Sequence, residues 1–435
     1  MDDNSMSERI LKKIEYIINH DSDLQEFTIV PTEENTSNKS PVLYMDHNLG
    51  LESWCVKYVY RHACADLFEV RSKLAKRKLS YPNMEKLNYL LMGALLIHPD
   101  VSTFWAMKRE LVQADVISAE QELFFLKIVL SYKSKSNEAF SHRRWLLKRI
   151  LQKAHVNQAE RVNYLLHNEF LVTEMAANKS PNNYHCWNHR IWCMENLGSN
   201  CENIETIIQS ELQLNSKWLT EHVSEHTGYH YRQYLIKLVK HLPNMKDFSL
   251  QYLASLTNVL KVKDPTSTLF NLLGISNKSL DDLHMTINVV SLLIYDLAVL
   301  LKNLNTFYEG HESLWYHRRF VIRELIKIMH EYSNTPFNVN NKVNDLYVKD
   351  EKNIIQSCLL SDNLSNSSEN GEKLPKQKKV MPNKVESDVP LYFILIDLER
   401  DFVRKSCENK RNLVQIENAR RHEQWLRLFL GINLV

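Results

Sequence analysis

Apolar residues recur along most of this chain at the three- and four-residue spacing of helices that bury one face. Ile10, Ile14, Ile17 and Ile18 form the first such stripe and predict a helix over about Ser7 to Asn19. A polar stretch containing Pro31 and Pro41 follows, and the pattern assigns it no element. From Leu51 the helical period returns through Trp54, Val56, Tyr60, Cys64 and Leu67, which predicts a cap covering the open face of what comes next. Leu87, Leu90, Leu91, Ala94, Leu95 and Ile97 then make a helix ending at His98-Pro99, because proline cannot continue it. A second helix starts near Ser102 and carries Trp105 and Leu111. The same plan returns as Ser118 to Tyr132, a polar turn over Lys133 to Ser136, and Glu138 to Leu151. Paired helices of this kind predict an all-α fold, an α-solenoid of tandem helical hairpins with a TPR-like superhelical plan.

An internal repeat fixes the register of the hairpins. Asn183 to Trp192 reads NYHCWNHRIW, and the relation of Trp187 to Arg190 three residues later returns elsewhere. Trp105 precedes Lys108-Arg109, Phe140 precedes Arg143-Arg144, Tyr229 precedes Arg232, and Trp315 precedes Arg318-Arg319. The residue before the base is His at His142, His189 and His317, Tyr at Tyr231 and Met at Met107. An aromatic at a constant place fills the gap between adjacent hairpins, and a base three residues on can satisfy carbonyls or a carboxylate of the neighbouring unit. Successive aromatics stand 35, 47, 42 and 86 residues apart. The last interval is about double, so a worn copy is expected inside it, with Ser279 to Lys302 supplying a long helix; an insertion over Lys263 to Asn277 is the other reading.

The expected order is therefore an N-terminal helical cap and linker over 1–85, repeats over 86–332, an insertion over 333–390 and C-terminal capping helices over 391–435. The insertion, rich in Asn, Ser, Lys, Asp and Glu, has too little apolar surface to offset the entropy of ordering and is expected to be disordered. Arg411 to Leu430 closes the chain with a helix bearing Leu413, Ile416, Ala419, Trp425 and Leu428. The most apolar run, Ile287 to Leu301, contains Asn288, Ser291 and Asp296 and falls short of the ~20 residues that span a bilayer. It reads as a core helix, with no transmembrane segment expected.

Composition narrows the chemistry. With 435 residues, a formal net charge of +2, eight glycines and eleven prolines, the chain suits long helices and has no charge excess pointing to nucleic acid or anionic lipid. Seven scattered cysteines without a C-x-x-C pair predict reduced thiols, and the acidic, polar amino end does not resemble a signal peptide. A cytoplasmic protein is expected. His185, His189 and Cys193 share one helix face and suggest a metal, but Cys186 stands where a zinc protease needs its glutamate, and His189 already belongs to the repeat. The basic tract Lys373 to Lys379 lies in low-complexity sequence and reads as a solvated linker. No phosphate loop, nucleotide fingerprint or catalytic triad spacing is present, so the chain alone is expected to catalyse nothing.

The pattern N-x-x-x-W-x-H-R-x-W, complete at Asn183 to Trp192 and varied in the other copies, resembles the repeat of protein prenyltransferase alpha subunits. The resemblance covers about Leu87 to Leu325 and the final helix. It implies the helical subunit of a heterodimer whose beta subunit holds the zinc, the prenyl diphosphate and the acceptor's C-terminal cysteine, with no cofactor in this chain. It also implies two site residues. In such subunits a lysine five residues before the second-repeat Trp approaches the diphosphate, a place held here by Lys135, and the residue after the third-repeat N-Y faces the active site, here His185. Phe140 replaces that Trp, and Asn137 replaces a tyrosine three residues before it. Phe140 to Leu147 (FSHRRWLL) follows the Rab-type second repeat most closely. The implied partner is therefore the Rab-type geranylgeranyl transferase beta subunit, and the implied reaction is geranylgeranyl transfer. A non-catalytic helical-repeat scaffold is the alternative.

Overall fold

The computed structural model describes residues 3–33, 40–74, 81–153, 158–201, 203–241, 252, 269, 273, 280–332, 390–408 and 412–434. By contacts the chain divides into two units, Met1–Glu202 and Asn203–Val435.

The first unit opens with α1 (Asp3–His20), a three-stranded sheet of β1 (Glu26–Val30), β2 (Val42–Met45) and β3 (Asn48–Glu52), and α2 (Ser53–Leu74). Three hairpins follow: α3 (Tyr81–Ile97) with α4 (Ser102–Gln113), α5 (Ala119–Tyr132) with α6 (Asn137–Lys153), and α7 (Gln158–Lys179) with α8 (Tyr184–Asn196). Their starts carry local signals. Ser118 and Gln121 form a capping box on α5, and the Asn183 side chain accepts from the Cys186 amide at the start of α8. Both α1 and α2 pack on α3. At Gly93 on α3 an added Cβ would lie 2.0 Å from Leu11 Cδ2, so a larger residue here would force the buried Leu11 side chain to move.

The sheet is a departure from the sequence reading, which left the stretch between Asn19 and Leu51 without an element. Its order is β1-β3-β2, with β1 parallel and β2 antiparallel to β3. Asp46 and His47 join β2 to β3 with φ of 48° and 60°, the two left-handed residues of a tight hairpin turn. Pro31 and Pro41, read as marks of a link, instead bound β1 and β2, where a missing amide does least harm. The sheet buries Phe27, Val42, Leu49 and Leu51, and Phe27 meets the Tyr132 ring edge-on at 5.5 Å while its amide donates to Ser131 Oγ.

The second unit contains α9 (Ile204–Glu221) with α10 (His226–Val239). The next hairpin pairs a long first helix, made of α11 (Leu280–Tyr295), a π-helical turn over Asp296–Leu300 and α12 (Leu301–Phe307), with α13 (Glu312–Tyr332). The last pairs α14 (Pro390–Glu408) with α15 (Leu413–Phe429). The hairpin bearing Trp315 packs directly on the one bearing Tyr229: Arg232 on α10 bonds Asp296, and the Tyr229 and His317 rings lie 5.4 Å apart. The long helix is thus the first helix of the Trp315 hairpin and not a remnant of a worn copy between the two. The proposed insertion over 263–277 and the polar tract over 333–389 fall, apart from Leu269 and Leu273, outside the described residues. Because α11, the π turn and α12 run on continuously, Thr286–Phe307 is long and apolar enough to cross a bilayer, yet 72% of its most apolar window is buried in the fold. Burial of that kind belongs to a core helix, as the sequence suggested.

Candidate functional site

Four of the repeat bases, Lys108, Arg143, Arg232 and Arg318, contact a carboxylate that the sequence reading did not identify. Arg143 donates from Nε and Nη2 to Glu169 at 2.6 and 2.7 Å, and from Nη1 to the Leu123 carbonyl twenty positions back in its own hairpin. Arg232 repeats this with Asp296 at 2.7 and 2.5 Å and the Leu212 carbonyl, and Arg318 grips Glu399 at 3.0 and 2.6 Å. In the first hairpin Lys108 takes the part, bonded to Glu122 and Asn88 at 2.9 Å each. The cationic place there belongs to Lys108 and not to Arg109, which donates to His142 Nδ1 and lies over the Trp145 ring. Arg190 bonds the Phe170 carbonyl and Thr173 Oγ1.

Glu122, Glu169 and Asp296 are each shared with the histidine that precedes the next base, Glu399 is shared with His422, and Glu211 accepts from Tyr231. His142 meets Glu122, His189 meets Glu169 and Tyr231 meets Glu211, each across 20 residues; His317 meets Asp296 across 21, and His422 meets Glu399 across 23. The last pair makes α14 and α15 another copy of the same bonding scheme, where the sequence suggested only capping helices. The aromatics complete the layer: Trp105 lies 4.8 Å from His142, Phe140 5.1 Å from His189, and Trp315 5.4 Å from His422. Trp105, Phe140, Tyr229 and Trp315 are buried, as is Trp187 at 7% exposure. Trp105, Phe140, Tyr229 and Trp315 are structural positions, each joining one hairpin to the next.

Burial lowers the pKa of His142, His189, His317 and His422 despite their carboxylates. Burial also raises Glu122, Glu169, Asp296 and Glu399, but their bases and histidines outweigh it, and Glu169 falls to about 2. The histidines are therefore neutral, each donating from Nε2, and the Arg109 donor to His142 Nδ1 requires that tautomer. Both shifts have one sign. Below the ordinary histidine value of 6.5 the unfolded chain takes up protons that the folded chain refuses, and below the ordinary carboxylate value it does so again. Stability should be full above about pH 6.5, fall as pH drops below it, and fall further toward the folded carboxylate pKa values. Melting followed by circular dichroism from pH 8 to pH 4 checks this; a midpoint constant down to pH 5 would show that the histidines do not act in this way.

Metal was suggested by His185, His189 and Cys193. The structure instead groups Glu169, His189 and Cys193, whose candidate donor atoms lie within 4.8 Å of one another, and His185 is not among them. The group does not suit zinc, because Arg143 already holds both oxygens of Glu169, and burial keeps the Cys193 thiol well above its ordinary pKa.

Lys135 and His185 sit elsewhere, on the turns that join the two helices of successive hairpins. Lys135 is exposed between the buried Ser134 and Ser136, and His185 is half-buried in the first turn of α8. Asn183 ties these turns together. Its Nδ2 donates to the Ser134 carbonyl at 2.7 Å and the Ala176 carbonyl at 3.1 Å while its Oδ1 caps α8, and Ser134 Oγ meets Ser180 Oγ at 2.6 Å. Along the same edge Ser136 Oγ donates to Asp100, and Lys179 pairs with Glu26 of β1. Lys135 is thus carried on a turn whose backbone is bonded to Asn183.

The protein prenyltransferase alpha subunit repeat matches residues 119–150 and 166–197, which are the α5–α6 and α7–α8 hairpins. The chain is 31% identical over 327 residues to protein prenyltransferase alpha subunit repeat-containing protein 1 of Danio rerio, covering 72% of this chain and 71% of that one. It is 25% identical over 435 residues to the Homo sapiens protein of the same name, covering 96% of each. Against the geranylgeranyl transferase type-2 subunit alpha of Candida albicans it is 25% identical over 199 residues, covering 42% of this chain and 50% of that one. With the repeats matched and this extent of likeness, the chain belongs to the protein prenyltransferase alpha subunit repeat family.

Proposed function

We propose that this chain acts in the cytoplasm as the alpha-type subunit of a heterodimeric protein geranylgeranyltransferase, paired with the Rab-type beta subunit. The beta subunit holds zinc and the prenyl diphosphate, and the lipid passes to a cysteine near the acceptor's C-terminus. The observation that carries this reading is the joining of the Lys135 turn to the His185 helix through Asn183 and Ser134. Prenyl transfer leaves a diphosphate behind, so positive charge and hydrogen-bond donors placed beforehand at its oxygens lower the barrier. Lys135 and His185 supply such groups, and the amino ends of α6 and α8 open at the same turns with their partial positive charge. The replacement of Trp by Phe140 leaves this support in place, since Phe140 is fully buried against His189.

Co-expression with candidate beta subunits, followed by transfer of a labelled geranylgeranyl group to a C-terminal-cysteine acceptor, tests the proposal. Lys135→Ala should lower the transfer rate on the order of 10- to 100-fold, less than deleting a buried oxyanion donor because the lysine is exposed. Beta-subunit binding should persist, and His185→Ala should act in the same direction more weakly. Recovery of the farnesyl-type beta subunit would overturn the pairing. Recovery of no beta subunit, or an unchanged rate in Lys135→Ala, would favour the helical-repeat scaffold, the reading to which Asn137 in place of the family tyrosine points.

A further inference from the structure

Apart from the turn edge, the first unit holds a cleft of about 940 Å³ between α1, α3 and the start of α5. Its charges do not balance: five carboxylates line it (Glu8, Glu15, Glu85, Glu120 and Glu122) against three lysines (Lys12, Lys86 and Lys108), an excess of two negative charges. All three lysines are already engaged, Lys12 with Glu8 at 2.9 Å, Lys86 with Asp66 at 2.7 Å and Lys108 with Glu122 at 2.9 Å. Glu15 differs from the other acids. It is half-buried, its Oε1 accepts from Asn88 Nδ2 at 3.1 Å, and among the described residues no ammonium or guanidinium lies within ion-pair distance of it. Burial pushes its carboxyl above the usual range, against the weaker pull of Asn88, Lys108 and Lys12.

We infer that this cleft receives a basic segment of a protein partner, with one lysine or arginine side chain seated on Glu15. A cation there completes a pair at a partly desolvated position, where attraction is stronger than on open surface. Ile18 and Met92 offer apolar wall to the methylenes of such a side chain. The negative excess sets the cleft against nucleic acid and anionic lipid, which leaves a basic polypeptide as the macromolecule whose charge it complements.

The test uses the full chain and a fluorescent octapeptide of alternating arginine and glycine, read by fluorescence anisotropy at physiological salt, with a glutamate–glycine peptide as its opposite. Saturable binding of the arginine peptide alone is expected, weakened about tenfold or more by Glu15→Gln. Val116→Trp, which fills the cleft from a half-exposed position without altering charge, should weaken binding as well. Glu417→Gln, which removes an exposed carboxylate from α15 in the other unit, should leave it unchanged. Circular dichroism of each variant reports whether the fold is kept, and the two cleft variants test the site independently. Equal losses in Glu15→Gln and Glu417→Gln, no loss in Val116→Trp, equal binding of both peptides, or no saturable binding of the arginine peptide would each overturn the inference.

Discussion

Replacing Glu169 with alanine should destabilise the first unit by about 3–5 kcal/mol, the range for stripping one partner from a buried ion pair. Glu169 accepts from Nε and Nη2 of Arg143 and from Nε2 of His189, and all three side chains are at most 3% exposed. Without it the guanidinium keeps the Leu123 carbonyl but has no anion, and a buried cation cannot recover its lost hydration. A loss of this size is a large share of a domain's net stability. Two comparisons separate the pair from its charge. Glu120→Ala, which breaks the exposed pair with Arg161, should cost less than about 1 kcal/mol. The double change Arg143→Met with Glu169→Leu should recover part of the loss, because no buried charge is then left without its partner, although His189 Nε2 still loses its acceptor. Urea unfolding of the three variants decides the matter: if Glu169→Ala and Glu120→Ala are equally mild, the buried pairs do not hold the hairpins together.

The second large effect is expected at the aromatic layer. Trp105 is fully buried, donates from its indole nitrogen to the Pro99 carbonyl at 2.6 Å and packs on His142 at 4.8 Å. Trp105→Ala should cost roughly 3–5 kcal/mol through lost burial and an incompletely filled cavity. Trp105→Phe should cost clearly less, since the next hairpin carries Phe140 at this place and still stacks on its histidine. Measured by thermal melting, an alanine variant no worse than the phenylalanine variant would mean that the neighbouring hairpin closes over the gap.

The hairpins could be read from sequence because helix period and the Trp-to-Arg spacing are local signals, each contained in one turn or two. The carboxylates were not legible for the opposite reason. Glu122, Glu169 and Glu211 lie 20 residues before their partners, on the other helix of the hairpin, and no single periodic window spans both. A fixed-offset search from His142, His189 and Tyr231 would have found an acid each time. His422 escaped because Arg420 and Glu423 stand where the motif has its aromatic and its base, although the later aromatic of H-x-x-W survives as Trp425, stacked on His422. The sheet escaped because its strands are four or five residues long and prolines stand beside them. At the turn edge, resemblance supplied Lys135 and His185, while the three bonds of Asn183 that join their supports depend on tertiary structure.

The π-helical turn at Asp296 shows how such copies drift in length without losing phase. Glu122, Glu169 and Glu211 each precede the end of their helix by ten residues, at Tyr132, Lys179 and Glu221, whereas Asp296 precedes Phe307 by eleven. One extra residue in an ordinary α-helix would rotate everything beyond it by about 100°, carrying buried side chains into water. Confined to a single wide turn, the surplus residue rotates nothing beyond it, so Leu301 and Leu304 stay in the core and His317 still finds its carboxylate. An indel that would scramble an α-helical face is thereby reduced to a local defect, and the shorter aspartate stands at the point where the helix widens.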